Sequence, residues 1–318
     1  MTADWAMAPL PWQADSWHRV SQQVDKDRLP HALLAVGAPG IGKYRFAQAL
    51  AARLLCQQVA AGVACGQCHA CELLNAGTHP DLLLLAPEED SRQIKIDQVR
   101  ATVEFVARTP AISPRKVIVI DPADAMNLNA ANALLKSLEE PGASTVFLLL
   151  SDQPSMLPAT IRSRCQRLDL ALPGREQTLP WLGAIVGGEK EAESLLAAAS
   201  GRPVEALALF TGDGLAERVA LDRAMDELAS GRLTPMDFPA LVKDLDLEEV
   251  LALFQQRLER AIRDLAGAGG IASVSLFRLR DDLARQRGAV ARGANPNRQL
   301  IIEDCATRLG ASLGEIQS

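Results

Sequence analysis

Residues 37–44, GAPGIGKY, follow the pattern G-x-x-x-x-G-K-[ST] at every position but the last. In that pattern small residues let successive backbone N–H groups surround phosphate oxygens, and the start of a following helix adds favourable partial charge. The lysine reaches the outer phosphates and the final hydroxyl holds Mg²⁺. Gly37, Gly42 and Lys43 fit, with Pro39 and Gly40 shaping the turn. Tyr44 stands where the hydroxyl belongs, and a phenol is too long to meet an ion held at that distance. The other half of such a site is an aspartate at the end of a later strand, followed by an acid that activates the attacking water. VIVIDPADAM supplies Asp121, but Pro122 stands in the place of the acid, with Asp124 the nearest substitute. Two groups that hydrolysis needs are therefore missing. Gly37, Gly40, Gly42, Lys43, Tyr44 and Asp121 read as a degenerate nucleotide site without ATP turnover; whether it still holds ATP or ADP is left open by the residues.

A second cluster is CQQVAAGVACGQCHAC, with Cys56, Cys65, Cys68 and Cys71 spaced C-x8-C-x2-C-x2-C. Two-residue gaps suit pairs of thiolates gripping one tetrahedral ion. Four thiolates favour Zn²⁺ or an iron–sulfur cluster, and with no redox motif elsewhere Zn²⁺ is preferred. No open ligand position is evident, so the site reads as structural. His69 falls inside the turn and is expected to point outward; Cys165 and Cys305 are expected to be ordinary buried residues.

The third group is basic. LPATIRSRCQRLDL carries Arg162, Arg164 and Arg167. Spacing alone fits either a cation near a helix C-terminus or a guanidinium offered to a neighbouring triphosphate.

These groups need elements to hold them. HALLAV at 31–36, DLLLLAP at 81–87, KVIVID at 116–121 and TVFLLLS at 145–151 are short apolar runs that read as buried strands. Helical spacing separates them: KYRFAQALAARLLC after the loop, IKIDQVRATVEFVART with Ile96, Val99, Val103 and Val106 on one face, and NLNAANALLKSLEEP, stopped by Pro141. Strands alternating with helices predict a parallel sheet covered on both faces. Beyond about residue 169 the pattern turns helical, with three short helices followed by long amphipathic ones. In the segment starting at Leu247, residues Leu251, Phe254, Leu258, Ile262 and Leu265 recur at helical spacing, and GAGG at 267–270 breaks the run. The expected division is an α/β domain over 1–168 with the four-cysteine module at 56–71, a small helical domain over 169–212 and a helical C-terminal domain over 213–318.

Composition narrows the function classes. The chain has 318 residues and a net charge of −6, with no basic stripe of the kind a stand-alone DNA-gripping protein shows. Any DNA contact is expected to be shared with partners. No apolar run is long enough to span a membrane, and MTADWAMAPLPWQAD is not a secretory signal. A cytoplasmic location is expected.

Together these landmarks resemble the AAA+ subunits of bacterial DNA polymerase III clamp loaders, the delta-prime subunits in particular. RLPHALLAVGAPGIGK, the four cysteines, AGTHPDLLLLAP, NAANALLKSLEEP and TIRSRC occur in that order, and NPNRQLIIEDCATRL is similar to the family's last helices. The resemblance implies a P-loop, RecA-like parallel-sheet domain, a helical lid and a C-terminal collar. It implies that Cys56, Cys65, Cys68 and Cys71 hold zinc and that Arg164 is an arginine finger acting in trans on ATP of an adjacent subunit. Ser151 falls at the sensor 1 position. The second sensor arginine of active motors would fall near Val204 and is absent, a third lost group. The implied role is a non-hydrolysing arm of a hetero-pentamer with gamma/tau motor and delta subunits. That assembly is a component of the polymerase III holoenzyme and loads a sliding clamp onto primed DNA. Two other readings compete: an active P-loop ATPase that tolerates Tyr44, and a zinc-dependent nucleic-acid binder acting alone.

Overall fold

The computed structural model describes residues 5–88, 91–142, 144–212, 214–267, 274–291 and 294–317. The chain divides into two compact units, one of residues 1–189 with 202–205, the other of residues 190–201 with 206–318.

The first unit is built on five parallel strands: β1 (Ala32–Val36), β2 (Leu82–Leu85), β3 (Lys116–Ile120), β4 (Thr145–Ser151) and β5 (Gln166–Asp169). Their order across the sheet is β2-β3-β4-β1-β5. Every residue of β1, β3 and β4 is buried, as expected of central parallel strands covered on both faces. The period of two sorts their side chains into separate cores. Leu33, Ala35, Val117, Val119, Val146, Leu148 and Leu150 enter one cluster with Trp17, Phe46, Leu50 and Leu54. Leu34, Val36, Ile118, Ile120, Phe147 and Leu149 enter the other, with Val99, Leu134, Leu138 and Ile161.

The first face is covered by α1 (Ala14–Asp25), α2 (Lys43–Leu55) and α3 (His69–Asn75), and the second by α4 (Ile96–Ala107), α5 (Leu128–Glu139) and the short α6 (Ala159–Arg162). The side chain of Asn127 caps α5 by accepting the Ala130 N–H at 2.9 Å, satisfying a donor that the helix leaves open. α7 (Arg175–Val186) ends the main run of this unit.

Two expectations need correction, and one strand was not foreseen. Strand β2, expected to be buried, lies at the sheet edge; of its residues only Leu85 is buried and Leu84 is 44% exposed. Val103 is 41% exposed and does not share the buried face of α4. Thr102 takes that place, fully buried, because its hydroxyl donates to the Val99 carbonyl at 2.6 Å and needs no water. Strand β5 carries no apolar run: of Gln166, Arg167, Leu168 and Asp169 only Leu168 is buried. It is an edge strand, held by pairing with β1 in the register Ala35↔Leu168.

The second unit contains α8 (Glu189–Ala198), most of α9 (Pro203–Thr211), α10 (Gly214–Ala229), α11 (Phe238–Leu241), α12 (Leu247–Gly267), α13 (Val274–Ala291) and α14 (Arg298–Gln317). Leu251, Phe254 and Leu258 of α12 are buried against Phe238, Leu279, Leu283, Ile302 and Leu309, with Leu247, Ile262 and Leu265 at the margin. Helix α12 stops at Gly267; the rest of the GAGG break lies outside the described residues. Among the described residues no helix is long and apolar enough to cross a membrane.

Candidate functional site

The glycine-rich loop joins β1 to α2, as its sequence requires. Gly40 and Gly42 have φ of 73° and 93°, a left-handed backbone that residues with a Cβ rarely adopt. Lys43 folds back into the loop. Its ammonium donates to the carbonyls of Gly37 at 3.0 Å and Ala38 at 2.7 Å and ion-pairs with Asp152. An ammonium has three protons, so these contacts use them all.

Other residues close over the same loop. The Val204 N–H donates to the Gly40 carbonyl at 2.9 Å. A Cβ at Gly40 would lie 2.8 Å from the Glu205 Cβ and 3.1 Å from its Oε2, so the Glu205 carboxylate rests directly on the cradle. Arg202 holds that carboxylate through an ion pair of 2.6 Å. From the N-terminal side Trp12 donates to the Ile41 carbonyl at 3.0 Å and Gln13 to the Gly42 carbonyl at 2.9 Å. Residues that contact the loop thus bring two carboxylates to it, Asp152 and Glu205, each paired with a cation, Lys43 and Arg202.

Tyr44 sits on the first turn of α2, 38% exposed; burial and the nearby Asp121 push its phenol pKa up. Asp121 follows β3, and its N–H donates to the Leu85 carbonyl at 2.9 Å. Burial, then Asp152 and Asp124, raise its carboxyl to about 6 against the opposing pull of Lys43. Asp124 does not face the loop freely: it accepts the Asp152 N–H at 3.2 Å, and burial raises its pKa. Ser151 closes β4 and is fully buried. Asp152 and Glu205 were not singled out from sequence. The available signal was indirect: a buried lysine needs an anion, and Asp152 follows directly on the strand that ends beside it.

The four cysteines converge. The Sγ atoms of Cys56, Cys65, Cys68 and Cys71 all lie within 4.8 Å of one another. Individual separations are 3.6 Å (Cys56–Cys65), 3.8 Å (Cys56–Cys68), 4.0 Å (Cys65–Cys71) and 3.5 Å (Cys68–Cys71). A tetrahedron with Zn–S bonds of about 2.3 Å has edges of about 3.8 Å, so the residues fit a tetrahedral ion of that size. The backbone N–H groups of Gln58 and Cys65 point at the Cys56 sulfur and that of Cys68 at the Cys65 sulfur, each at 3.3 Å; at Cys56 burial outweighs these donors and pushes the thiol up. Burial would raise the Cys68 thiol, but hydrogen bonds from backbone and neighbouring sulfurs outweigh it and bring it down to about 6. These four residues can hold a metal ion such as zinc. His69 points away, its side chain 65% exposed and 3.9 Å from Glu72. Of the other cysteines, Cys305 is buried and Cys165 is half-buried.

The module is anchored from both sides. Arg53 of α2 donates to Ser21 at 3.1 Å and Asp25 at 2.6 Å on α1, and to the Gly62 carbonyl in the cysteine loop. Beyond α3, Asp81 accepts the N–H groups of Ala111, Ile112 and Ser113 at 2.6, 2.9 and 2.9 Å. Burial alone would raise its pKa, yet those three donors outweigh it and hold Asp81 below the usual carboxylate range. His79 and Ser113 are 3.1 Å apart, and Ser113 donates to the Leu55 carbonyl at 2.7 Å, one residue before Cys56.

The three arginines separate by surroundings. Arg162 is exposed at the end of α6. Arg167 pairs with Asp169 two residues along its own strand at 2.7 Å. Arg164 reaches another element: one Nη donates to the Thr160 carbonyl at 3.0 Å and the other to Glu139 at the end of α5.

Comparison with known proteins agrees with this geometry. Residues 12–173 match the family model described as DNA polymerase III, delta subunit. The DNA polymerase III subunit delta' of Pseudomonas aeruginosa is 40% identical, the alignment covering 92% of this chain and 94% of that one. The subunit delta' of Escherichia coli is 39% identical over 68% of this chain and 65% of its own length. A solved DNA polymerase III gamma subunit-related protein of Thermotoga maritima superposes with a TM-score of 0.50 at 18% identity, covering 93% of this chain and 99% of that one; it shares the fold, an AAA+ parallel-sheet domain with a C-terminal helical region. With its degenerate phosphate loop, converging cysteines and these relatives, the chain belongs to the family of DNA polymerase III delta-prime subunits.

Proposed function

We propose that this chain is a non-hydrolysing subunit of a DNA polymerase III clamp loader, an arm that helps place a sliding clamp on primed DNA. Its partners are gamma/tau motor subunits and a delta subunit in a hetero-pentamer. The α/β domain through residue 168 presents the functional groups, residues 169–212 form the lid, and residues 213–318 form the collar that packs with those of the other subunits. Zinc in the four-cysteine module is structural. It would be held by Cys56, Cys65, Cys68 and Cys71, and these residues bind and orient the loop rather than act on substrate.

The observation that carries the reading is the state of Lys43. All three of its donors are satisfied inside the chain, and Asp152 already neutralises its charge. Glu205, paired with Arg202, packs directly against Gly40 of the loop. With Tyr44, Pro122 and Val204 at the positions of the metal ligand, the water-activating acid and the second sensor, the site supports no ATP turnover of its own. Arg164, one-third exposed, then serves in trans, its guanidinium stabilising charge on ATP held by the adjacent motor.

The test is the assembled loader. Replacing Arg164 with Ala is expected to leave assembly intact and to lower DNA-stimulated ATPase by roughly tenfold or more, the loss expected of an arginine finger. Unchanged ATPase in a correctly assembled complex removes the finger role.

A further inference from the structure

We propose that Glu139 is the positioning residue for Arg164, orienting its guanidinium for the neighbour's triphosphate; this rests on the reading of Arg164 given above. Arg164 lies just past α6, a helix tied to the core through Ile161, which is fully buried against the Leu134 and Leu138 side of α5. The backbone is fixed as well, the Arg164 N–H donating to the Ile161 carbonyl at 3.1 Å. What the core does not fix is the long, flexible side chain. Two contacts do: the Thr160 carbonyl takes one Nη at 3.0 Å, and Glu139, 25 residues away in sequence, takes the other.

A guanidinium has five N–H donors in a rigid plane. Two are directed at the protein, and with the side chain 34% exposed the rest of the fork is left for a ligand. Glu139 is itself half-exposed, so the pair contributes little to folding stability. Its consequence is geometric. Catalytic electrostatics depend on donors already aimed at the place where charge develops, and small misplacements are costly. Among the described residues, Arg162 and Arg167 show no such brace from a second helix. Glu139 is also the residue at which α5 ends, so its carboxylate sits at a defined height beside the α6 turn.

The experiment uses the complete loader with variants in this subunit, after size-exclusion chromatography and melting curves have verified assembly. Glu139→Ala is expected to lower kcat of the DNA-stimulated ATPase by roughly tenfold, the scale of a misplaced catalytic group, with KM for ATP within about twofold. Glu139→Gln keeps an acceptor oxygen at the same reach and should restore most of kcat. Glu139→Asp keeps the charge but is one methylene short, and should resemble Ala. The double variant Glu139→Ala with Arg164→Ala should be no slower than Arg164→Ala alone. Unchanged or raised kcat in Glu139→Ala, Gln no better than Ala, Asp as active as Glu, or a fully additive double variant each overturns the positioning role while leaving the finger in place. An Arg164→Ala variant without effect removes the finger itself, and the two failures are thereby distinguished.

Discussion

Lys43 of the phosphate loop forms an ion pair with Asp152 just past the end of β4, the lysine side chain 7% and the aspartate side chain 26% exposed. Together with the carbonyls of Gly37 and Ala38 the aspartate consumes the lysine's hydrogen-bonding capacity. The loop therefore keeps its backbone shape while its principal cation is directed inward.

The first prediction concerns restoration of activity. Tyr44→Thr supplies the missing hydroxyl but leaves Pro122, Val204 and the Lys43–Asp152 pair in place. The isolated Tyr44→Thr chain is expected to hydrolyse ATP no faster than a Lys43→Ala control, measured by phosphate release with Mg²⁺ present. The unmodified chain should likewise show no saturable binding of a fluorescent ADP up to about 1 mM, because the cations beside the loop, Lys43 and Arg202, are already paired with Asp152 and Glu205 and none is free to meet the phosphates. Clear turnover by either chain above the control would sink the scaffold reading.

The second concerns Asp121. Its carboxyl is raised to about 6 by burial, then by Asp152 and Asp124. In the unfolded chain it titrates near 3.8. Between those values the folded protein holds the proton more tightly, so this group favours folding at low pH and that contribution is lost as pH rises toward 6. At pH 7.5 the buried charge is a net cost. Asp121→Asn is expected to raise the melting temperature at pH 7.5 by roughly 2–4 °C, with the advantage shrinking toward pH 4. A uniform shift across that range would assign the effect to packing instead.

Much of this fold could be read directly from residues. The apolar runs within β1, β3 and β4 are continuous because both faces are covered, with polar residues only at strand ends, at Lys116, Thr145 and Ser151. Strand β5 escaped because three of its four residues are polar and only its pairing with β1 makes it a strand. Val103 matched the helical period of α4, yet the face it occupies lies at the margin of the helix contact, and a threonine that satisfies its own hydroxyl filled the core instead. At the site, the glycines, Lys43 and the cysteines announced themselves by local spacing. Asp152, Glu205 and Glu139 did not, since their roles arise from meetings between segments far apart in sequence, and a lone carboxylate carries no signature of its partner.

The third prediction follows from His79. Its Nδ1 accepts the Asp81 N–H at 3.1 Å, which leaves Nε2–H to face Ser113. The ring must stay neutral, and burial lowers its pKa, with His69 adding to the effect against Asp81. The sign follows: as pH falls below about 6.5 the unfolded chain gains a proton that the folded chain resists, so stability is lost on acidification. The other histidines, His18, His31 and His69, are exposed. His79→Gln is expected to lower the melting temperature at pH 7.5 yet flatten its decline between pH 6.5 and 5. An unchanged slope in the variant counts against His79 as the titrating group.

The fourth concerns the metal. Cys71, Ala70 and Leu74 are each no more than 1% exposed and belong to the same cluster as Phe46, Leu50 and Leu54 of α2. The cysteine module is thus a continuation of the core and not a loop laid upon it. Four of the six sulfur–sulfur separations are 3.5 to 4.0 Å, close to the edges of a zinc–thiolate tetrahedron, and an ion-bound thiolate set supplies stability that the apo form lacks. Elemental analysis of freshly purified protein should find about one zinc per chain. Treatment with a strong chelator should lower the melting temperature by more than about 5 °C, since structural zinc contributes directly to folding free energy. Cys68→Ser should reproduce most of that loss and make the protein insensitive to the chelator. Because Arg53 links this loop to α1 and Ser113 links the end of α2 to His79, the damage should spread into the α/β unit, visible as earlier hydrogen exchange in α2. Iron in place of zinc, or a metal-free protein that melts at the same temperature with and without chelator, would show that these sulfurs pack without an ion.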